Sequence, residues 1–441
     1  MAEVALVVGL GRSGAAVARH LGDRGARVVA VDDAPGDEVR AAAAELAVEL
    51  VEEPSEAQLA DLVDRASVVV PSPGVPIRHP VFLLAEARRV PVRSEVELAY
   101  RWSRHPIVAV TGTNGKTTVT ALVTEMLVAS GRRAVAGGNI GFPLSDAVRR
   151  DVDVVVAEVS SFQLWWTDTF RPRVAVWLNL AEDHLDWHPD LDSYVAAKAR
   201  IWAHQEKDDL VVVNVDDPVV AGQVAGAPSR VETFALSRAA DWHVAGGELR
   251  GPPGALLPVD ELRRSMPHDV SNALAAAAAA MGAGATLDGV RTALRTFGGL
   301  PHRLSLVADA GGVRWYDDSK ATNPHAALSA VSAFDSVVLV AGGRNKGLDL
   351  GVLAKAADRI RAVVALGEAG PEVERAFTGI RPVTPAATMD GAVRAAAAFA
   401  RTGDVVLLSP GCASFDQYRS YAERGDDFAA AVGRLLGGGL L

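Results

Sequence analysis

Short runs of β-branched and small apolar residues, each closed by a glycine-rich or acidic turn and followed by a helix-compatible stretch, recur along the whole chain. That alternation predicts parallel strands joined by crossover helices, an α/β protein. The first run, EVALVVG at 3–9, leads into Gly9-x-Gly11-x-x-Gly14 and a helical pattern reaching about Gly25. A second, RVVAVDD, ends in Asp32 and Asp33, and a third, after Ser67, reads VVVPSPGVP and carries Ser72-Pro73-Gly74 at its end. With helical patterns near 38–48, 55–65 and 79–89, residues 1 to about 100 form one predicted doubly wound unit. Its ligand, a nucleotide-like group, is expected at the strand ends.

The pattern restarts at Pro106 with PIVAVTGTNGKTTVTA. An apolar strand, a glycine turn and Lys-Thr-Thr opening a helix make a phosphate-binding loop, because glycines let backbone N–H groups face an anion and the helix N-terminus adds positive charge. Val110 stands where the usual G-x-x-x-x-G-K-[ST] pattern has its first Gly, so this is a variant. In it Gly112, Thr113, Asn114, Gly115, Lys116, Thr117 and Thr118 surround the phosphates, Lys116 reaching the β/γ groups and Thr117 offering Mg²⁺ a hydroxyl. Further strands end at Glu158 (DVVVAEVSSFQL) and near Asn179 (VAVWLNLAEDHLDWH), with Glu182, Asp183 and His184 just beyond. In a parallel sheet these ends share an edge with the loop, where a carboxylate is a natural Mg²⁺ ligand. Lys198 follows on a helix within SYVAAKARIW. An ammonium cannot ligate a cation, so if Lys198 faces this site it binds phosphate or is chemically altered.

Residues 204–265 alternate short strands with Gly/Pro turns and read as a peripheral part of the middle section. HDVSNALAAAAAA then opens a long alanine-rich helix, with Asn272 in its first turns as either a capping residue or an adenine contact. The pattern breaks at FGGLPHR. Beyond it, strands at about 304–308, 313–317, 337–342, 362–366 and 405–409 predict a second doubly wound unit, its ends carrying DSKATN (318–323), GGRNK (342–346) and SPGCAS (409–414).

Composition narrows the function. Of 441 residues 49% are hydrophobic and 22% charged, a globular balance with room for about three cores. The net charge of −10 argues against nucleic acid bound on a basic face. A single cysteine, Cys412, excludes an internal disulfide framework and fits a reducing compartment. No apolar run approaches a membrane span, and the N-terminus reads as a first strand and not a leader, so a cytoplasmic protein is expected. Only six lysines, at 116, 198, 207, 320, 346 and 355, stand among 44 basic residues. Lysines retained against such arginine usage are candidates for roles that a planar guanidinium cannot fill.

Taken together, TGTNGKTT, AEVSSFQL, LNLAEDHLDWH, SYVAAKARIW, HDVSNALAA, PHRL, DDSKATNP and SPGCASFDQY resemble the Mur ligases of bacterial peptidoglycan synthesis, across the whole chain and in order. DSKATNP and SPGCASFDQ point to the D-glutamate-adding branch. The resemblance implies three α/β domains: an N-terminal Rossmann-like domain (1–103) for a uridine nucleotide, a central P-loop ATPase-like domain with a mostly parallel sheet (104–299), and a C-terminal Rossmann-like domain (300–441) for the amino acid. It implies ATP and two Mg²⁺ ions as cofactors, UDP-N-acetylmuramoyl-L-alanine and D-glutamate as substrates, no nucleic-acid or membrane partner, and a monomer. By the same resemblance Lys116 and Thr117 hold phosphate and Mg²⁺, Glu158 holds the first metal, and His184 with a carbamylated Lys198 the second. Asn272, Arg303 and Asp318 contact ATP. Lys320, Thr322, Lys346, Ser414 and Tyr421 take D-glutamate. Ser13, Asp32, Asp33, Ser72, Gly74, Asn139 and Ser160 take the UDP-muramoyl substrate. Two positions depart from the family pattern: Asp269, where Asn is frequent, and Asp33, where Thr is common.

Two rivals remain at this level. One is another Mur ligase using a different amino acid or glutamate isomer. The other is an NAD-dependent oxidoreductase built on Gly9–Gly14, which leaves the phosphate loop and Lys198 without a role.

Overall fold

The computed structural model describes residues 3–437. The chain divides into two compact units. The first holds the chain up to Leu180 with Trp187–Ser265 and Asp269–Phe297, and the second holds Ala181–Asp186, Met266–His268 and the chain from Gly298.

The first unit contains two parallel sheets. β1 (Val4–Val8), β2 (Arg27–Asp32), β3 (Glu49–Glu52) and β4 (Val68–Pro71) lie in the order β3-β2-β1-β4. Val8 pairs with both Val31 and Pro71, so the turn after β1, Asp32 and Ser72 meet at one edge. The glycines there are sterically required: Gly9 has φ +81°, and a Cβ on Gly14 would lie 2.1 Å from the Gly9 carbonyl oxygen. The second sheet comprises β5 (Ile107–Thr111), β6 (Ala134–Gly138), β7 (Val154–Glu158), β8 (Val174–Trp177), β9 (Leu210–Asn214) and β10 (Arg230–Phe234), ordered β10-β9-β8-β5-β7-β6. Its two faces carry separate hydrophobic clusters, one around Val119, Leu122 and the alanines of the helix Pro267–Gly282, the other around Trp177, Tyr194 and Trp202. Strands buried on both faces read as continuous apolar runs, and all five residues of β5 are buried.

Residues 204–265, expected from their pattern to be peripheral, are so only in part. β9 and β10 extend the main parallel sheet, because LVVVN at β9 is as apolar as the central strands and pairs with β8. Only β11 (His243–Ala245), β12 (Glu248–Gly251) and β13 (Gly254–Pro258) form a separate antiparallel sheet.

The second unit is built on β14 (Ser305–Ala310), β15 (Val313–Asp317), β16 (Val337–Gly342), β17 (Ile360–Leu366), β18 (Val383–Ala386) and β19 (Val405–Gly411), in the order β14-β15-β19-β16-β17-β18. β14 and β15 form an antiparallel hairpin and every other pair is parallel. Since β19 lies between β15 and β16, the segments after these three strands, 318–323, 342–346 and 411–414, emerge side by side. Among the described residues no helix is long and apolar enough to cross a membrane.

Candidate functional site

The register of the central sheet sets the first constellation. Val110 pairs with Glu158 on one side and Val176 on the other, so the phosphate loop leaves β5 between the ends of β7 and β8. The loop runs from Gly112 (φ +149°) to Gly115 (φ +84°), where the helix Lys116–Ala129 begins. A Cβ on Gly115 would meet Asn272 Oδ1 at 2.7 Å, which explains the glycine and places Asn272 against the loop. Asn179 at the end of β8 holds the loop open: its Oδ1 accepts from the N–H groups of Thr113 (3.1 Å) and Asn114 (2.8 Å), and its Nδ2 donates to the Asn114 carbonyl.

Two ammonium groups converge on one carbonyl here. Lys116 Nζ donates to Gly112 O and Thr113 O, and Lys198 Nζ to Gly112 O, each at 2.9 Å. Lys198 is 1% exposed, its head 4.6 Å from the centre of the Tyr194 ring, and Tyr194 Oη lies 3.1 Å from Thr113 Oγ1. Burial, then the charge of Lys198, pulls nearby His188 down to about 4, so His188 is neutral there at ordinary pH. Across the loop Glu158 is buried, with Oε1 accepting from Asn139 Nδ2 at 2.9 Å and Oε2 without a hydrogen-bond partner. A buried carboxylate oxygen left open is chemically unsatisfied unless a cation or donor completes it. Among the described residues no group of three or more His, Cys, Asp or Glu could hold a metal ion alone. A small pocket of about 20 Å³ lies beside the loop helix, lined by Thr118, Leu122, Arg264, Asp269, Asn272, Leu294 and Phe297 among others. Within it Asp269 is held by Arg264 at 3.3 Å.

The other positions in the first unit have local roles. Asp32 Oδ2 accepts from Leu10 N at 3.1 Å, Ser72 Oγ donates to Gly9 O at 2.6 Å, and His79 Nε2 sits 3.1 Å from Asp33 Oδ2, so the N-terminal glycine turn is braced from both neighbours. Ser13 lies in the opening turn of the helix Arg12–Gly22, and Gly74 in the turn after β4. Thr117 lies in the first turn of the loop helix. Ser160 caps the short helix Ser161–Trp165 through a reciprocal bond pattern with Gln163.

The second unit carries its own cluster. Lys320 Nζ lies 3.7 Å from the centre of the Tyr421 ring, a cation over an aromatic face. Lys346 Nζ is 3.8 Å from Asp183 Oδ1, whose other oxygen accepts from Asn323 Nδ2 at 3.0 Å. His184 has a left-handed backbone (φ +58°) and keeps Nε2 3.6 Å from Asp183. Ser414 is 2% exposed and Thr322 partly buried. Asp318 is buried, accepting from Leu304 N at 3.2 Å and Ser409 Oγ at 2.8 Å. Burial pushes its carboxyl up to about 7 against the opposing Ser409 bond and the Arg303 charge. Asp183 and Asn179 were noted at the end of β8 but given no role in the sequence. Their hydrogen bonds give them one, and an Asn and an Asp flanking the apolar strand end were the available signal.

The first unit carries a phosphate loop on a parallel sheet and the second is a doubly wound sheet with lysines after its strand ends, a nucleotide-binding α/β class of protein. Residues 3–94, 110–280 and 302–412 match the family models described as Mur ligase MurD-like, N-terminal domain; Mur ligase middle domain; and Mur ligase, glutamate ligase domain. The chain belongs to the Mur ligase family. It is 45% identical, over 97% of its length and 93% of the relative's, to the UDP-N-acetylmuramoylalanine--D-glutamate ligase of Frankia casuarinae. The protein of the same name from Desulfosudis oleivorans is 44% identical over 98% of this chain and 96% of its own. Among solved structures, UDP-N-acetylmuramate-alanine ligase MurC from Thermotoga maritima superposes with a TM-score of 0.61 over the whole of both chains at 20% identity, a likeness of fold.

Proposed function

We propose that this chain is an ATP-dependent amide ligase that joins the amino group of D-glutamate to the L-alanyl carboxylate of UDP-N-acetylmuramoyl-L-alanine, a step of peptidoglycan precursor synthesis. The acceptor is supported most strongly by 44–45% identity over nearly the full chain with proteins carrying that name. The activation step is supported by the geometry, namely two lysines converging on Gly112 beside a buried carboxylate with one open oxygen.

The chemistry follows from the inertness of a carboxylate towards amines in neutral water. The L-alanyl carboxylate oxygen attacks the γ-phosphorus of ATP, the bond to ADP breaks, and an acyl phosphate forms. Lys116 offsets the charge of the two approaching anions, which is the larger part of the task in phosphoryl transfer. The free amine of D-glutamate then adds to the acyl carbon, and the tetrahedral intermediate collapses with loss of phosphate and a proton. Mg²⁺, when bound, supplies Lewis-acid charge neutralisation. Glu158 Oε2 and the Thr117 hydroxyl would hold one ion, with His184 and a carbamylated Lys198 for a second, and phosphate oxygens completing each set. Asn272 takes the adenosine end, with Arg303 and Asp318. Lys320, Thr322, Lys346, Ser414 and Tyr421 form the D-glutamate site. Ser13, Asp32, Asp33, Ser72, Gly74, Asn139 and Ser160 form the UDP-muramoyl site. Residues 1–103, 104–299 and 300–441 act as the domains for these three ligands, in a cytoplasmic monomer.

The acyl-phosphate route has a direct test. With heavy oxygen in the L-alanyl carboxylate, one labelled atom is expected in the released phosphate, because the bridging oxygen leaves with phosphorus. Unlabelled phosphate would remove the intermediate.

A further inference from the structure

One of the most deeply buried large side chains in the second unit is a cation. Arg424, in the first turns of the helix Tyr421–Leu435, is 1% exposed. Its Nε donates to Ser319 Oγ (2.9 Å), its Nη2 to Ser319 O (2.8 Å) and Cys412 O (3.1 Å), and its Nη1 to Ala413 O (3.3 Å). Every one of these acceptors is a neutral oxygen. A third strand end joins the same group: Arg344 and Ala413 exchange both backbone hydrogen bonds, and a Cβ on Gly343 would lie 2.9 Å from Arg424 Nη1 and 2.3 Å from Ala413 O. The guanidinium therefore sits directly behind residues 319, 343 and 412–413. Lys320 and Ser414 follow directly on two of these segments, and Lys346 lies three residues after Gly343 on the third.

The placement is costly in two ways. Burial without a carboxylate partner disfavours the charge, and burial pulls the guanidinium down to about 10. The first turns of a helix also disfavour a cation, since the helix dipole is positive there. A residue chosen only to fill this volume would be apolar. What a guanidinium alone supplies is a planar fork whose donors bond several fixed oxygens at once, together with a fixed positive charge behind a site whose ligand is anionic.

We infer that Arg424 is the positioning residue of the amino-acid site: it locks the three strand-end loops in the register that sets Lys320, Lys346 and Ser414 for a dicarboxylate amino acid. This inference rests on the D-glutamate reading of that edge. Lysine at 424 would keep the charge and lose the fork, so it cannot hold Ser319 and Cys412–Ala413 together.

The test is steady-state kinetics on the full chain with each substrate varied in turn. Arg424→Lys is expected to raise the KM for D-glutamate about tenfold or more, as for loss of charge-assisted bonds that fix a site. The KM values for ATP and for UDP-N-acetylmuramoyl-L-alanine should stay within about twofold. Ser319→Ala, which removes one acceptor and leaves the arginine, is expected to move the D-glutamate KM in the same direction by about threefold, and it decides the matter if Arg424→Lys does not fold. An unchanged D-glutamate KM in the folded variant, or an equal rise for all three substrates, would overturn the inference. A wild-type enzyme that ignores D-glutamate would instead overturn the reading on which it rests.

Discussion

Replacing Lys116 by alanine is expected to abolish phosphate release while UDP-N-acetylmuramoyl-L-alanine still binds. Lys116 Nζ stands on the carbonyls of Gly112 and Thr113, at the mouth of the loop and at the start of its helix, where the β/γ-phosphates would meet it. Its loss removes a fixed charge from the point where negative charge accumulates, an effect on the order of a thousandfold or about 4 kcal/mol in the barrier. The sites proposed for the UDP-sugar lie mainly on the N-terminal sheet, where Asp32, Ser72 and Gly9 brace one another independently of the phosphate loop. Equilibrium binding of the UDP-sugar to folded Lys116→Ala should match wild type. A parallel loss of that binding would show that the two ligands do not occupy separate sheets.

Lys198 carries the second large effect, and it is chemically the more unusual. The side chain is fully buried against Gly112 O and the Tyr194 ring, too far inside to serve as a solvated surface cation. Near Mg²⁺ an ammonium would be repelled, whereas attack of the free amine on CO₂, with release of a proton, gives a carbamate that replaces +1 with −1 and provides oxygen ligands. Lys198→Ala is therefore expected to lose activity by about a hundredfold or more, and Lys198→Arg to be equally inactive although it keeps the charge. A short carboxylic acid in solution is expected to restore part of the activity of Lys198→Ala by occupying the vacated oxygen position, and amines are expected not to. If Lys198→Arg turns over like wild type and acids leave Lys198→Ala dead, the lysine is a phosphate contact and the carbamate is excluded.

The parts of this molecule legible in its sequence were those where local chemistry and tertiary role coincide. β5 is a continuous apolar run ending in glycines that the positive φ values at Gly112 and Gly115 require, so the phosphate loop could be read without neighbours. Glu158 was placed correctly beside it because strands of one parallel sheet end on one edge. Three edge strands, β3, β6 and β18, were lost for physical reasons. β3 reads ELVE with glutamates at both ends, β6 reads AVAGG with glycines that mimic a loop, and β18 contains a proline tolerated only where no partner strand needs its N–H. Arg424 was invisible for the opposite reason. Within YAERGDDF it looks like one more charge on a solvated helix face, and only the fold turns that face inward onto Ser319 and Cys412. The network of Asn179 and Asp183 was likewise beyond reach, since its partners lie 65 positions away for Asn114 and 140 for Asn323.

Central to the proposed function is that the chain activates one carboxylate with ATP and delivers it to one amine. It is tested most directly by phosphate release from ATP in the presence of UDP-N-acetylmuramoyl-L-alanine and Mg²⁺, with D-glutamate, L-glutamate, L-alanine and a diamino acid offered separately. The account predicts release with D-glutamate at a kcat/KM about a hundredfold or more above each of the others, because a site of fixed lysines and buried polar groups rejects ligands that leave them unpaired. Equal or faster release with L-alanine or the diamino acid would contradict the acceptor. Absence of release with every amine, in a protein that ATP does not protect against heat, would contradict the ligase itself.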